Sequence, residues 1–98
     1  SHETFYITPT LVPTAVSASI SAVQTFTVPG LQTSDLIMVQ GIIGSQTAGI
    51  VIAEADCLTA NVLSIQFANC ATASATPATG VYTIQVTRLE GPAPVNAA

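Results

Sequence analysis

Short segments in which apolar and small polar residues alternate recur along this chain, separated by turn residues. Within 15–22, for example, Val16, Ala18 and Ile20 alternate with serines. Thr, Val and Ile are frequent, and β-branched residues suit strands better than helices. No segment repeats apolar residues at helical spacing for long enough to predict a helix. The pattern predicts an all-β fold: a small antiparallel β-sandwich of six or seven strands, immunoglobulin-like or jelly-roll-like.

Two neighbouring segments, 50–58 and 62–69, predict a β-hairpin around 59–61. In this register small residues of the first strand pack against large residues of the second on one face. The predicted pairs on that face are Cys57–Leu63, Ala55–Ile65 and Ala53–Phe67. The opposite face of the first strand carries Ile50, Ile52, Glu54 and Asp56.

Three further features locate turns and strands. Pro29-Gly30 predicts a type II turn, since Pro sets φ at the first central position and Gly accepts a positive φ at the second. The continuous apolar run 36–39 predicts a strand that is buried on both faces. The segment 81–89 predicts the last strand of the domain, with Tyr82, Ile84 and Val86 on one face.

The hairpin register also predicts the state of the two cysteines. It places Cys70 close to Ile50, seven residues from Cys57, or roughly 20 Å along the strand at about 3.3 Å per residue. A disulfide requires Cα atoms about 4.4–6.8 Å apart. We therefore expect two free, buried thiols in a compartment that is reducing during folding.

The scarcity of charge excludes several classes of function. Charged residues are 6% of the chain, against about 25% in typical domains. There is no lysine, Arg88 is the one arginine, and the net charge is −4, so a nucleic-acid partner is not expected. No apolar run reaches the roughly 18 residues of a membrane helix, and we expect no membrane partner. His2 is the only histidine, so no base is available to activate a serine, and we predict no enzyme activity, catalytic residue, cofactor or metal site.

Two charged features have more than one interpretation. Glu54 and Asp56 share a strand face, about 7 Å apart. Such a pair can flank a glycosidic bond or hold calcium, but without further acids or an aromatic platform the simpler interpretation is that it solubilises the end of the hairpin. Arg88 is expected to pair with Asp35, Asp56 or Glu90, within the subunit or across an interface.

Proline-bearing segments flank the predicted domain. We divide the chain into an N-terminal arm (1–14), a β-sandwich domain (15–90) and a flexible C-terminal tail (91–98). The arms suit extended contacts to neighbouring subunits. In the N-terminal arm, the residues predicted to contact another subunit or a capsid are Phe5, Tyr6, Ile7, Leu11 and Val12.

The surplus of apolar residues predicts an assembly. Soluble monomers rarely expose large contiguous apolar patches, and this chain has no lysine to protect its sheet edges. We therefore expect one face and one edge to be covered by sister subunits or by a larger assembly.

Over residues 24–88 the chain resembles a group of small tailed-bacteriophage virion proteins. The resemblance rests on a Phe-Thr-Val-Pro-Gly-Leu turn (26–31) and an Asp-Leu-Ile-Met-Val strand (35–39), which a Gly-rich loop follows. After the loop come Gly-Ile-Val-Ile-Ala-Glu-Ala (49–55), Leu-Ser-Ile-Gln-Phe-Ala-Asn (63–69), a Thr-Pro loop (75–77) and a Tyr-containing final strand (81–88). These are turn and core motifs, and both arms lie outside the match.

The resemblance implies a structural virion protein: a capsid decoration (cement) protein, or a small component of head fibres or tail spikes. It implies a β-sandwich, often trimeric, located where capsomers meet, with the major capsid protein or other virion proteins as partners. We therefore expect a homotrimer on the capsid surface, made in the host cytoplasm. Net negative charge also favours an outer surface over contact with packaged DNA. The alternative is a receptor- or glycan-binding module of a phage fibre, spike or adhesin, which would need exposed aromatic residues such as Tyr6 or Tyr82.

Overall fold

The computed structural model describes residues 2–89, and all the regular structure in this range is β-strand. Seven strands form two antiparallel sheets, which confirms the predicted fold class. The strands are β1 (His2–Ile7), β2 (Thr10–Leu11), β3 (Ser21–Thr27), β4 (Leu36–Ile42), β5 (Ile50–Thr59), β6 (Val62–Asn69) and β7 (Gly80–Leu89). The predicted tail (91–98) lies outside the described residues.

The first sheet, sheet I, is organised around β7. One side of β7 pairs with β1 and, after an interruption at Thr8 and Pro9, with β2. The interruption follows from Pro9, which has no N–H to donate to a ladder. The other side of β7 pairs with β4, with a register shift between Val39 and Gly41.

The second sheet, sheet II, has the order β3-β6-β5. The predicted hairpin is present, and Ala55 lies opposite Ile65 as expected. The predicted pairing of Ala53 with Phe67 is wrong, because the register shifts at Ala53 and places Ile52 opposite Phe67. This bulge also turns Ile50 away from the face that carries Glu54, since one extra residue reverses the alternation of side chains.

The core lies between the two central strands. β7 contributes Tyr82, Ile84 and Val86, all fully buried, which confirms the predicted inward face of that strand. Its partners across the core come from alternate positions of β6: Leu63, Ile65 and Phe67. Both central strands therefore present aliphatic and aromatic side chains inward at every second residue, as expected for packed sheets.

Two tight turns are joined at one end of the sandwich. Gly30 has a φ of 99° and Leu31 N–H donates to the Val28 carbonyl, as expected for a type II turn. The β5–β6 turn contains Asn61 with a φ of 70°, which Asn tolerates better than most residues. Asn61 then accepts a hydrogen bond from Gly30 N at its Oδ1, 2.8 Å away.

The segment predicted as an N-terminal arm forms the edge of sheet I. Phe5 lies opposite Val86, and Ile7 lies opposite Ile84. Leu11, at 3% exposure, belongs to the core. In the structure, residues 2–11 are therefore part of the sandwich itself.

Two burial predictions are wrong. The run 36–39 is not buried on both faces, since Leu36 and Met38 are 57% and 58% exposed. Cys57 and Cys70 are free, as expected, but only Cys57 is buried. Cys70 directly follows the last residue of β6 and is exposed.

Candidate interaction surfaces

The outer surface of sheet I carries no charged side chain from residues 3–89. Glu3 and Arg88 lie opposite each other in the ladder. Both occupy the alternate positions of their strands that face inward, so neither belongs to this outer surface. We call this outer surface the uncharged face; it consists mainly of Thr4, Tyr6, Leu36, Met38, Gln85 and Thr87.

The polar groups of the uncharged face bond to one another across the strands. The hydroxyls of Thr4 and Thr87 are 3.2 Å apart. The Tyr6 hydroxyl donates to Oε1 of Gln85 over 3.4 Å. Because these groups already have partners, covering them costs less than covering unpaired polar groups.

The apolar groups of the uncharged face lie on its β4 side. Leu36 is opposite Thr87 and Met38 is opposite Gln85. With Ile37, these four residues line a shallow hollow of about 220 Å³. Met38 is unbranched and polarisable, so it adapts readily to a partner surface.

The outer surface of sheet II differs in charge, and we call it the acidic face. Glu54 and Asp56 lie opposite Gln66 and Ser64, respectively. The carboxylates border a depression of about 90 Å³, whose six lining residues are Val23, Glu54, Asp56, Leu58, Ser64 and Gln66. This face therefore combines two carboxylates with aliphatic side chains, and it includes the pair that the sequence singled out.

The Asp56 carboxylate is incompletely hydrogen-bonded. Its Oδ1 is sealed from solvent and accepts no hydrogen bond from the described residues. Ser64 is its cross-strand neighbour, and Gln66 directs its amide N–H to Ser21 over 3.1 Å. A buried oxygen without a donor is energetically unfavourable, so the chain leaves an acceptor unused on this face.

The single arginine is committed elsewhere. Arg88 donates from Nε and Nη2 to the two carboxylate oxygens of Asp35, at 2.9 and 2.8 Å. Nη2 also donates to the Gly30 carbonyl, and the guanidinium lies 5.3 Å from the centre of the Phe5 ring. Arg88 therefore pairs within the subunit with Asp35, one of its three predicted partners, whereas Glu90 lies outside the described residues.

This ion pair changes the pKa of its acid. The Arg88 hydrogen bonds hold the pKa of Asp35 below its ordinary value, against the opposing effect of burial, with help from the Gln32 N–H. The side chain of Asp35 is fully enclosed. The pair joins the end of β7 to the segment that follows the Pro29-Gly30 turn.

A cleft separates the β4 edge of sheet I from the β5 edge of sheet II. It has a volume of about 270 Å³ and is lined by residues 37–39 and 52–55. The cleft adjoins the uncharged face through Met38 and the acidic face through Glu54. On this side of the sandwich no pairing between the described strands joins the two sheets.

The five predicted contact residues separate into two groups. Phe5 and Ile7 are half-buried against the core, and Leu11 lies within it. Tyr6, at 59% exposure, lies on the uncharged face, and Val12 is exposed between β2 and β3. Within this set only Tyr6 and Val12 have side chains that are free to reach a partner, and their role stays a prediction.

Neither a metal centre nor a membrane-spanning helix is found in the described range. No three His, Cys, Asp or Glu residues among those described come together as metal ligands. The described residues contain no helix that would be long and apolar enough to span a membrane.

The comparisons with known proteins return no match. No protein-family model fits the chain, and neither a curated protein nor a solved structure is significantly similar to it.

Sequence reasoning did not identify the uncharged face. Leu36 and Met38 belong to a continuous apolar run, which gives no indication of the side that solvent reaches. The signal that was available is the phase of β7, where Gln85 and Thr87 alternate with buried residues. The side chains that flank them on β1 and β4 are assigned to the same surface only by the strand pairing.

Proposed function

We propose that this chain is a non-enzymatic structural protein of a bacteriophage virion. It decorates the exterior of the capsid as a cement protein and acts through contacts between subunits. We propose that it assembles as a homo-oligomer, with three copies as the expected number. The resemblance over residues 24–88 suggests the virion setting, and the molecular surface suggests the mode of action.

The observation that carries the proposal is the uncharged face. The chain has a net charge of −4. Leu36 and Met38 nevertheless lie on a surface that carries none of the charged residues of 3–89. Isolated exposed aliphatic residues are ordinary, but here they continue into Tyr6 and into paired hydroxyl and amide groups. Such a surface resembles the depleted-charge centre of a protein interface.

The edge beside this face is also open to pairing. The β1–β2 edge is interrupted at Pro9, and the β5 edge carries Glu54 and a bulge at Ala53. Near β3, Gln24 bonds both the N–H and the carbonyl of Thr14, each at 2.8 Å. By contrast, the first four residues of β4, 36–39, pair regularly with β7 and contain neither charge nor proline.

Native sheets usually protect their edges by such devices. The β4 edge lacks them and adjoins the uncharged face, so a neighbouring subunit can cover both together. This supports the prediction that one face and one edge are covered in the assembly.

The mechanism is mass action. A subunit that binds the assembled shell, and not the separated capsid proteins, raises the free energy of disassembly. No catalytic group is required for this. The three described carboxylates without an ion pair also favour an outer location, because they would repel packaged DNA.

The test uses particles produced by the genome that encodes the chain. We expect the chain in purified particles at a fixed ratio to the major capsid protein, measured by quantitative mass spectrometry. Particles assembled without the chain should rupture at a lower temperature, and adding the purified chain should restore the rupture temperature. Absence of the chain from particles, or no change in rupture temperature, contradicts the proposal.

A receptor- or glycan-binding module is the second candidate, and the exposure of Tyr6 favours it. The Tyr6 ring lies beside Gln85 on an open surface, and an aromatic ring next to an amide can bind a sugar. Tyr82, the other predicted aromatic, is fully buried and donates its hydroxyl to the Ala78 carbonyl over 2.6 Å. Glycan binding that disappears in Tyr6→Ala would favour this function over the first.

A further inference from the structure

We propose that the acidic face binds a second protein through a basic side chain, arginine or lysine, flanked by aliphatic residues. The inference rests on the proposed function: the uncharged face meets sister copies, and the acidic face meets the shell protein that the chain decorates. The two faces of the sandwich would then have different partners.

The first support is charge without an internal counterpart. Glu54 and Asp56 occupy one strand face, and no described cation pairs with either of them. The chain has no lysine. Arg88 forms its bonds with Asp35 at the end of sheet I. No lysine or arginine of this chain is therefore free to pair with this face, and the proposal assigns its cation to another molecule.

The second support is the unused acceptor. Oδ1 of Asp56 is enclosed but has no donor within the described residues, although Ser64 lies directly across the ladder. Oδ1 is sealed from solvent as it stands, so a guanidinium or ammonium group supplies the missing donor by drawing the Asp56 carboxylate outwards. None of the residues in the described part of the chain supplies this interaction.

The third support is the aliphatic rim around the acids. Val23 is 61% exposed and Leu58 is 74% exposed, and both line the same depression as the carboxylates. Val51 is also exposed on β5. Acids that served only to solubilise the hairpin would not need exposed aliphatic neighbours, whereas apolar groups around a charged pair exclude water and strengthen it.

The composition of the chain argues against a second copy as the occupant. A sister subunit offers no lysine, and its single arginine is already in an ion pair. A bare metal ion is disfavoured because no three ligating side chains converge among the described residues. The charge complement is therefore a basic patch on a different protein.

The experiment measures binding of the purified chain to particles assembled without it. The double variant Glu54→Gln/Asp56→Asn keeps the side-chain shapes and removes both charges, and we expect its affinity to fall at least tenfold. The control Glu3→Gln removes one carboxylate from sheet I, and we expect its affinity to stay within twofold of wild type. The single variants Glu54→Gln and Asp56→Asn match this control in net charge.

A second variant tests the rim without altering charge. Leu58→Ser leaves both carboxylates in place, and we expect its affinity to fall at least threefold. Binding of the wild-type chain should also weaken as NaCl is raised, more steeply than binding of the double variant. Urea unfolding of each variant verifies that it is folded.

The outcomes separate the two proposals. If the wild-type chain does not bind the particles, the proposed function fails. If it binds, and the double variant binds equally well with the same dependence on salt, the virion role stands and the acidic face is not the docking surface. A loss in Glu3→Gln as large as that in the matched single variants would likewise overturn the proposal, because net charge alone would then explain the binding.

Discussion

The two outer faces of this sandwich have the same construction and different chemistry. Each is three strands wide and has a glutamine on its central strand, Gln66 on β6 and Gln85 on β7. The cross-strand neighbour of Gln66 on β5 is Glu54, whereas Gln85 lies between Tyr6 and Met38. The difference thus comes from the flanking strands, which place charge on one face and exclude it from the other.

This difference teaches how so few charges can still define two surfaces. A face without charge is covered at little electrostatic cost by another uncharged surface, including a copy of itself. A face with unpaired carboxylates repels its own copy, so a partner that covers it has to supply a cation. Because Arg88 bonds Asp35 and belongs to neither face, it adds no charge to the uncharged face and neutralises none on the acidic face.

The largest expected effect concerns assembly through the uncharged face. Met38→Glu places a charge at the centre of that face, and we expect the proposed oligomer to dissociate into 9.9 kDa chains, because burying an unpaired carboxylate is costly. Light scattering after size exclusion measures the mass. The matched control is Ile20→Glu, at an exposed aliphatic residue before β3, which should leave the mass of the oligomer unchanged.

If light scattering gives the wild-type protein the mass of a single chain, the uncharged face is not a contact between subunits. The uncharged face would then be stable in water, and the binding-module function would become the stronger of the two candidates. A trimer that persists in Met38→Glu would place the subunit contact elsewhere, with Tyr6 and Val12 as the next positions to change.

The next effect concerns the ion pair between Arg88 and Asp35, which lies outside both faces. Asp35→Asn leaves the Arg88 guanidinium without its carboxylate, and we expect the free energy of unfolding at pH 7 to fall by roughly 2–3 kcal/mol, as for hydrogen bonds to charged groups. Urea unfolding measures this loss. The exposed substitution Ser34→Ala is the control and should have little effect.

The same pair predicts a dependence on pH. Because the folded-state pKa of Asp35 is lowered, the pair stabilises the fold above the ordinary value of 3.8 and loses this contribution as pH falls through the folded pKa. The stability of Asp35→Asn should therefore depend less on pH below about 4. An equal acid sensitivity in both proteins would show that other carboxylates cause it.

A smaller effect comes from exchanging the central glutamines for lysine. Gln66→Lys places a cation opposite Glu54, and we expect stabilisation of about 0.2–1 kcal/mol, as for an opposite-charge cross-strand pair. Gln85→Lys has no carboxylate opposite it and should be neutral or destabilising. Thermal unfolding of the two variants at low and high salt makes the comparison, and equal effects would mean that the faces do not differ electrostatically.

The smallest effect leaves stability unchanged and tests the geometry. Cys57 points inward next to the outward-facing Asp56, whereas Cys70 is exposed. We expect a thiol reagent to modify Cys70 rapidly in the folded protein and Cys57 only on unfolding, as followed by mass spectrometry. Rapid modification of Cys57 would mean that β5 is displaced by one residue, which would turn Glu54 and Asp56 away from the surface.

Local patterns were sufficient to predict the fold class, the hairpin and the inward face of β7. Alternation along 81–89 and the Pro29-Gly30 turn depend on neighbouring residues alone, so these predictions were confirmed. The face of 50–53 was not predicted correctly, because the bulge at Ala53 reverses the alternation without a distinctive residue to mark it. The hydrogen bonds of the buried Asn69, to the Val16 and Ala73 carbonyls, were also beyond sequence reasoning.

By itself, then, the sequence determined which segments form strands and that the surface would carry little charge, because strand propensity and composition are properties of the chain. The tertiary structure decided that Leu36 and Met38 face outward, that Arg88 bonds Asp35, and that no cation of residues 3–89 pairs with Glu54 or Asp56. Each of these depends on which strands become neighbours. A side chain is buried or paired only when another sheet or strand reaches it, and residues distant in sequence determine that contact.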